Sequence, residues 1–391
     1  MTEHYFASCP RGLEHALAAE IGALGGAEVA VAEGGVAFSG PIELAYRANL
    51  ESRLASRVLW RVVQGPYRGE DELYRLAQGV DWGRHFKVDH TLRVDLTATR
   101  SPLQSLEFAT LKVKDAICDR FRAQVGRRPS VDKQRPDVRV YGYLTEREAT
   151  LYLDTSGEAL FKRGWRREAE VAPLRENLAA GLLALAGWKP GTPLLDPMCG
   201  AGTIAIEAAA AAADLAPGLK RTFGFQKLAW YDGPTWQRIR QRAHDRVRSA
   251  PRAPFIFASD IDPHAIAQSR NNAASAGVAD WVEFDEADVL LRAAPAAAGL
   301  LVANPPYGVR LDDAGTLAAL YPKLGDALKQ RFVGWTACLM SGDTRLPKLI
   351  GLKPSKRTPL YNGAIECRLY RFEIVSGRPQ RASHPAPAAH E

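Results

Sequence analysis

Cysteine is scarce and unpaired. Cys9, Cys118, Cys199, Cys338 and Cys367 are scattered through 391 residues, odd in number, with no Cys-x-x-Cys among them. This argues against a disulfide scaffold or a zinc site and for a reducing compartment. No stretch approaches the ~18 uninterrupted apolar residues of a membrane span. The opening Met1-Thr2-Glu3-His4-Tyr5 has no basic region, apolar core or small-residue cleavage pattern, so no leader is expected. No internal repeat recurs at a solenoid period. The expectation is a cytoplasmic protein with neither a membrane nor a metal partner.

What is present is ordinary in bulk. Apolar residues make up 46% and charged residues 24% of the chain, enough for two or three domains with a sizeable core. The formal charge of +7 makes an anionic partner such as nucleic acid plausible.

Along the chain, the patterning predicts a strand at 5–8, then a helix with Leu13, Leu17, Ile21 and Leu24 on one face. A hairpin follows around Gly34-Gly35, then a helix near 41–52 and a strand near 57–64. A second unit spans about 66–155, with helices at 70–78 and 106–121 and strands at 91–98, 138–144 and 149–153. Its basic loop, Gly126 to Pro136, carries Arg127, Arg128, Lys133 and Arg135, which could follow a phosphate backbone. Phe161-Lys162-Arg163-Gly164-Trp165-Arg166-Arg167 mixes cations with rings. It suits phosphate contact plus stacking, or a linker packed on a neighbouring domain. On the first reading Arg163, Trp165 and Arg166 touch RNA. The arginine series from Arg238 to Arg252 is read mainly as a solvated helix face, and the acid-free segment Arg345 to Arg357 as a candidate wall of a substrate channel.

Beyond a boundary between about 156 and 172, strands and helices alternate, which implies a parallel sheet with helices on both faces. Candidate strands are 193–196, 255–259, 281–284, 300–303, 335–340 and 366–374, and the tail from Ser376 is expected to be disordered. The first strand runs into Asp196-Pro197-Met198-Cys199-Gly200-Ala201-Gly202-Thr203, a glycine turn opening a helix, where backbone N–H groups can meet a ligand. The turn also satisfies the degenerate dinucleotide pattern, but nicotinamide binding wants an acid about 20 residues further on. That window holds Arg221-Thr222-Phe223. An acid before the turn suits S-adenosylmethionine, with its amino group and cationic centre. Asp260, followed by Ile261, ends the second strand where a carboxylate can hold a ribose. Asp262-Pro263 reads as a helix cap. Asp288 is the candidate for the adenine amine, with Asp285 and Glu286 as competitors.

The apolar run Leu300 to Ala303 ends in Asn304-Pro305-Pro306-Tyr307-Gly308. Proline stops the strand and fixes the backbone, leaving an amide oxygen, a carbonyl and a ring at its carboxyl end. The Asn304 oxygen and the Pro305 carbonyl can accept both protons of an exocyclic amine, while Tyr307 stacks on the base. Positioning and electrostatics would then carry methyl transfer without a covalent nucleophile. A structured target base would have to be flipped out.

These residues resemble one family, the THUMP-domain class I methyltransferases that make N2-methylguanosine in 23S ribosomal RNA (the RlmL type). The similarity rests on Tyr5 to Glu14, Tyr46 to Leu50, Leu111 to Ala116, Arg127 to Asp132, Ala172 to Ala180, Asp196 to Gly200 and Asn304 to Gly308, spanning about 4–375. It implies a Rossmann-like class I methyltransferase domain (161–375) preceded by an α+β ferredoxin-like region (1–65) and an overlapping THUMP RNA-binding module (45–160), with a tail at 376–391. It also implies that Pro173 to Asn177 help to close the cofactor site. Some relatives continue into a second methyltransferase that makes 7-methylguanosine; this chain stops too soon for one, so dual activity is not expected. The expected substrate is 23S rRNA. The alternatives are a tRNA guanosine, an adenine N6, or a non-catalytic RNA-binding assembly role with a vestigial cofactor fold. Deleting 1–160 is expected to weaken RNA binding and leave the cofactor pocket intact.

Overall fold

The computed structural model describes residues 2–166, 174–306 and 313–376. Among them, two seven-stranded sheets follow one another along the chain. The first begins with β1 (Glu3–Ser8), α1 (Glu14–Ala23), β2 (Ala27–Ala32), β3 (Gly35–Gly40), α2 (Ile42–Glu51) and β4 (Arg57–Pro66). It continues with α3 (Glu70–Gln78), β5 (Leu92–Ala98), α4 (Leu106–Val125), β6 (Val138–Leu144) and β7 (Glu148–Asp154). β4 pairs with β1 on one side and β7 on the other, so the two amino-terminal units read from the sequence share one sheet, ordered β2-β3-β1-β4-β7-β6-β5.

The second sheet is built from α5 (Glu176–Ala186), β8 (Leu194–Asp196), α6 (Thr203–Ala212), α7 (Gly233–Asp245), β9 (Ile256–Asp260), α8 (Pro263–Ala276) and β10 (Val282–Glu286). It is completed by β11 (Leu300–Ala303), α9 (Asp313–Arg331), β12 (Thr336–Ser341), α10 (Leu346–Leu349), β13 (Lys356–Asn362) and β14 (Ile365–Glu373). The order is β10-β9-β8-β11-β12-β14-β13, parallel through β12 and antiparallel for the final hairpin. The chain starts at β8, steps outward through β9 and β10, then returns to the other side of β8 for β11. Covered on both faces, β11 can be wholly apolar, and all four of its residues are buried.

One apolar core runs through both sheets, from Tyr5, Leu13 and Phe38 to Ile204, Ala258 and Cys338. At the seam, Tyr46 of α2 packs on Phe225, Trp230 and Trp236, at centroid distances of 4.6, 5.7 and 6.1 Å. Its hydroxyl accepts from the Asp232 N–H at 2.8 Å. Trp60 of β4 meets Trp230 edge-on at 5.3 Å. Asn49 donates to Thr155 Oγ1 at 2.8 Å and accepts from Ser156 Oγ at 2.6 Å. Further along, Gly12 sits at φ +95° with its α-carbon so close to β13 that a Cβ would lie 2.4 Å from the Pro359 carbonyl oxygen. Among the described residues no helix is long and apolar enough to cross a membrane.

Candidate active site

The residues able to do chemistry gather at the carboxyl ends of β8, β9, β10 and β11, where strand order reverses and open α/β sheets form their ligand crevice. Asp196 closes β8 and is 1% exposed. Burial pushes its carboxyl up to about 8, against the Met198 N–H and helped by the charge of Asp260. Its Oδ1 has no hydrogen-bond partner among the described residues.

The glycine turn follows. Gly200 and Gly202 sit at φ +52° and +80°, the left-handed region that a side chain disfavours. Gly200 N–H donates to Asp260 Oδ2 at 2.9 Å, which fastens the turn to the end of β9. From α8, Ser269 Oγ donates to the Gly200 carbonyl at 2.6 Å and Asn272 Nδ2 to the Ala201 carbonyl at 3.1 Å. Cys199 is buried beside Ser269, and burial raises its thiol well above the usual range, so it stays protonated. Helix α6 begins at Thr203 behind Gly202, with no side chain capping it, so its first N–H groups are open to a ligand.

Asp260 also accepts from the Asp262 N–H at 3.1 Å. A carboxylate offers about four acceptor positions, which leaves room for ribose hydroxyls. Asp262 caps α8, accepting from His264 N–H at 2.9 Å, as its position before a proline indicated. Ile261 is 68% exposed, an aliphatic face on which a planar ring can lie. Of the three acids after β10, Asp285 pairs with Arg292 at 2.9 Å, and Glu286 points to solvent. Asp288 accepts from the Leu290 N–H at 2.9 Å through Oδ1.

Across the switch point, Asn304 follows β11, and its Oδ1 is buried without a partner among the described residues. Pro305 is buried. Pro306 is exposed, and its carbonyl accepts from the hydroxyl of buried Tyr321 at 3.2 Å, which pins the turn to α9. Tyr307 and Gly308 lie outside the described residues. The Leu195–Leu301 pairing brings the ends of β8 and β11 side by side. Leaving a buried acceptor unmatched costs about 1–3 kcal/mol, so two of them on adjacent strands mark a place for a ligand's donors or positive charge. The chemistry of this set suits S-adenosylmethionine, with carboxyl groups at Asp196, Asp260 and Asp288, open N–H groups at the start of α6 and an aliphatic face at Ile261.

The residues proposed for RNA divide. Arg127, Arg128, Lys133 and Arg135 are exposed on a loop held by Asp132, whose Oδ1 accepts from the N–H groups of Gln134 and Arg135 at 2.8 and 3.0 Å. Arg127 also pairs with Asp89. Arg163 and Trp165 do not face RNA. Both are buried, and Arg163 pairs with Glu207 at 3.3 Å and donates to the carbonyls of Leu160 and Arg53. Arg166 is turned inward too, pairing with Glu176 at 3.3 Å. The packed-linker reading is the right one for all three. Asn177, in the segment implied to close the cofactor site, instead donates across the seam to Ser56 Oγ at 3.0 Å; Pro173 lies outside the described residues. Ser269, Asn272 and Tyr321 were not singled out in the sequence. For the first two, the available signal was a polar pair on the apolar face of α8.

A glycine-turn cradle at the switch point of a sheet with this order defines a Rossmann-like class I methyltransferase fold. The chain belongs to the RMKL-like methyltransferase domain family, whose pattern matches residues 163–371. A THUMP domain matches 67–154 and an RlmL ferredoxin-like domain 4–59. The chain is similar to the ribosomal RNA large subunit methyltransferase K/L of Syntrophotalea carbinolica, 42% identical over 384 residues, covering 96% of this chain and 54% of that protein. The Shewanella oneidensis protein of the same name is 40% identical over 381 residues, with 96% and 54% coverage. The chain thus spans about half the length of the curated relatives it matches. The crystal structure of SMU.472 complexed with SAH superposes with a TM-score of 0.86 at 30% identity, covering 97% of this chain and 99% of that one.

Proposed function

We propose that this chain transfers a methyl group from S-adenosylmethionine to the exocyclic N2 of a guanosine in large-subunit ribosomal RNA. The observation that carries the reading is the pair of buried oxygens without partners among the described residues, Asp196 Oδ1 and Asn304 Oδ1, at the ends of the two adjacent strands β8 and β11. The names of the relatives and the THUMP match support RNA as the substrate.

When bound, S-adenosylmethionine supplies an electrophilic methyl group. The chain's own residues do the rest by placement. Asp196 meets the cofactor's positive end, and the uncapped start of α6 gives it N–H donors. Asn304 Oδ1 and the Pro305 carbonyl accept hydrogen bonds from the two amine N–H groups, drawing the nitrogen lone pair out of conjugation and aiming it at the methyl carbon, and the proton that the methylated nitrogen sheds passes to water. Tyr307 is proposed to stack on the base. The exposed cations Arg127, Arg128, Lys133 and Arg135 take the phosphate backbone.

The test is mass spectrometry of rRNA and tRNA nucleosides from a strain lacking the gene. Loss of N2-methylguanosine from 23S rRNA, restored by the intact chain and not by Asn304→Ala, is the expected result. Loss from tRNA alone would move the substrate, and no loss from either would overturn the reading.

A further inference from the structure

The linker between the two sheets is bolted to α6 at two levels. At the lower level Arg163 pairs with Glu207, and both side chains are at most 3% exposed. The same guanidinium donates to the Arg53 carbonyl at 2.6 Å. Arg53 in turn reaches over the seam to the carbonyls of Ala210 and Leu215 at 3.0 and 2.7 Å. This rung joins the amino-terminal sheet to the body of α6, and its depth marks it as structural.

The upper rung lies one helical turn nearer the ligand crevice. Arg166 Nη2 donates to Thr203 Oγ1 at 3.0 Å and to the Leu174 carbonyl at 3.2 Å, while Nε pairs with Glu176. The guanidinium lies over the Trp165 ring, 5.2 Å from its centroid. Thr203 is the first residue of α6, directly after Gly202, and the hydrogen bond from Arg166 is to its side chain. Its backbone N–H therefore remains among those offered to a ligand. Arg166 thus holds the helix end that faces the cofactor site.

We propose that Arg166 is a positioning residue for the cofactor site, fixing the start of α6 through Thr203. The proposal rests on the methyltransferase reading above. A planar fork is required, because one guanidinium serves Thr203, Leu174 and Glu176 at once.

The test is calorimetric titration of the full chain with S-adenosylmethionine, alongside RNA affinity and melting temperature. Arg166→Lys keeps a cation beside Glu176 but loses the fork. Thr203→Val removes only the acceptor. Each is expected to weaken S-adenosylmethionine binding about tenfold, the effect of losing one charged hydrogen bond. The double variant should be no weaker than either single one, with RNA affinity unchanged. Affinity within about twofold of the unmodified chain in both single variants, or losses that simply multiply in the double, would overturn the proposal. A unmodified chain that bound RNA but no S-adenosylmethionine would overturn the methyltransferase reading itself.

Discussion

Asp196 is the residue on which the most chemistry converges. A carboxyl held at about 8 keeps its proton at neutral pH in the ligand-free chain. A cation placed beside it favours the charged form, so binding S-adenosylmethionine near pH 7 should release close to one proton. Calorimetry in buffers of different ionisation enthalpy measures this, and Asp196→Asn should abolish it. Stability carries the same signature with a definite sign. Between the ordinary value of 3.8 and about 8, the native state holds a proton that the unfolded chain has lost, so this group makes stability fall as pH rises across that window. The Asn variant should show a flatter melting temperature between pH 5 and 8. At Asn304 the expectation is kinetic: alanine should lower turnover by about two to three orders of magnitude with little change in cofactor affinity. Single-turnover methylation checks it. Both residues were legible because each ends an apolar strand, a place where a polar side chain needs a reason. Arg163 was not. A cation beside aromatic rings reads the same whether it meets phosphate or a buried acid, and Glu207 lies on a separate element.

At the scale of elements, the glycine turn is a built part rather than a loose loop. Asp260 holds it from β9, and Ser269 and Asn272 hold it from α8. A Cβ at Gly202 would lie 3.1 Å from that of Ser269, on a residue already at φ +80°. Gly202→Ala is expected to cost about 1–3 kcal/mol of stability, read by urea unfolding, and to weaken cofactor binding as well. The strands that form this crevice were easy to find in the sequence, since buried parallel strands are unbroken apolar runs. β13 was harder. Lys356 to Asn362 begins with two cations and contains Pro359, the composition of an edge strand, and only its pairing with β14 defines it. The sharing of one sheet by the first two units was equally hidden, because the β4–β7 pairing joins segments about ninety residues apart.

For the whole molecule, the seam decides what can be separated. The core is continuous across both sheets, and α5 presses against Leu13 so closely that a Cβ on Gly181 would lie 2.4 Å from it. The expectation that deleting 1–160 leaves the cofactor pocket intact is therefore revised. The truncated chain would expose the apolar faces of α5, α6 and α7 and strip the buried Arg163 of its Leu160 and Arg53 carbonyl partners, a large loss for a structure whose net stability is small. It should show no cooperative urea transition and bind no S-adenosylmethionine, whereas the full chain should unfold cooperatively and bind it. A cooperative transition in the fragment would show that the two sheets fold independently. The sequence displayed the order of the units but not their interdependence, because the contacts that create it, such as Tyr46 with Trp230 and Asn49 with Thr155, join residues far apart along the chain.

The aromatic cluster at that seam has an optical consequence. Trp60 belongs to the first sheet and Trp230 to the second half, and their rings stand at 83° with centroids 5.3 Å apart. Two indoles so close and so crossed share their excited states, and the resulting circular-dichroism couplet depends steeply on separation and angle. Any tilt of one half against the other, on binding RNA or cofactor, would rewrite that couplet. The protein carries, without a label, a gauge of its own docking.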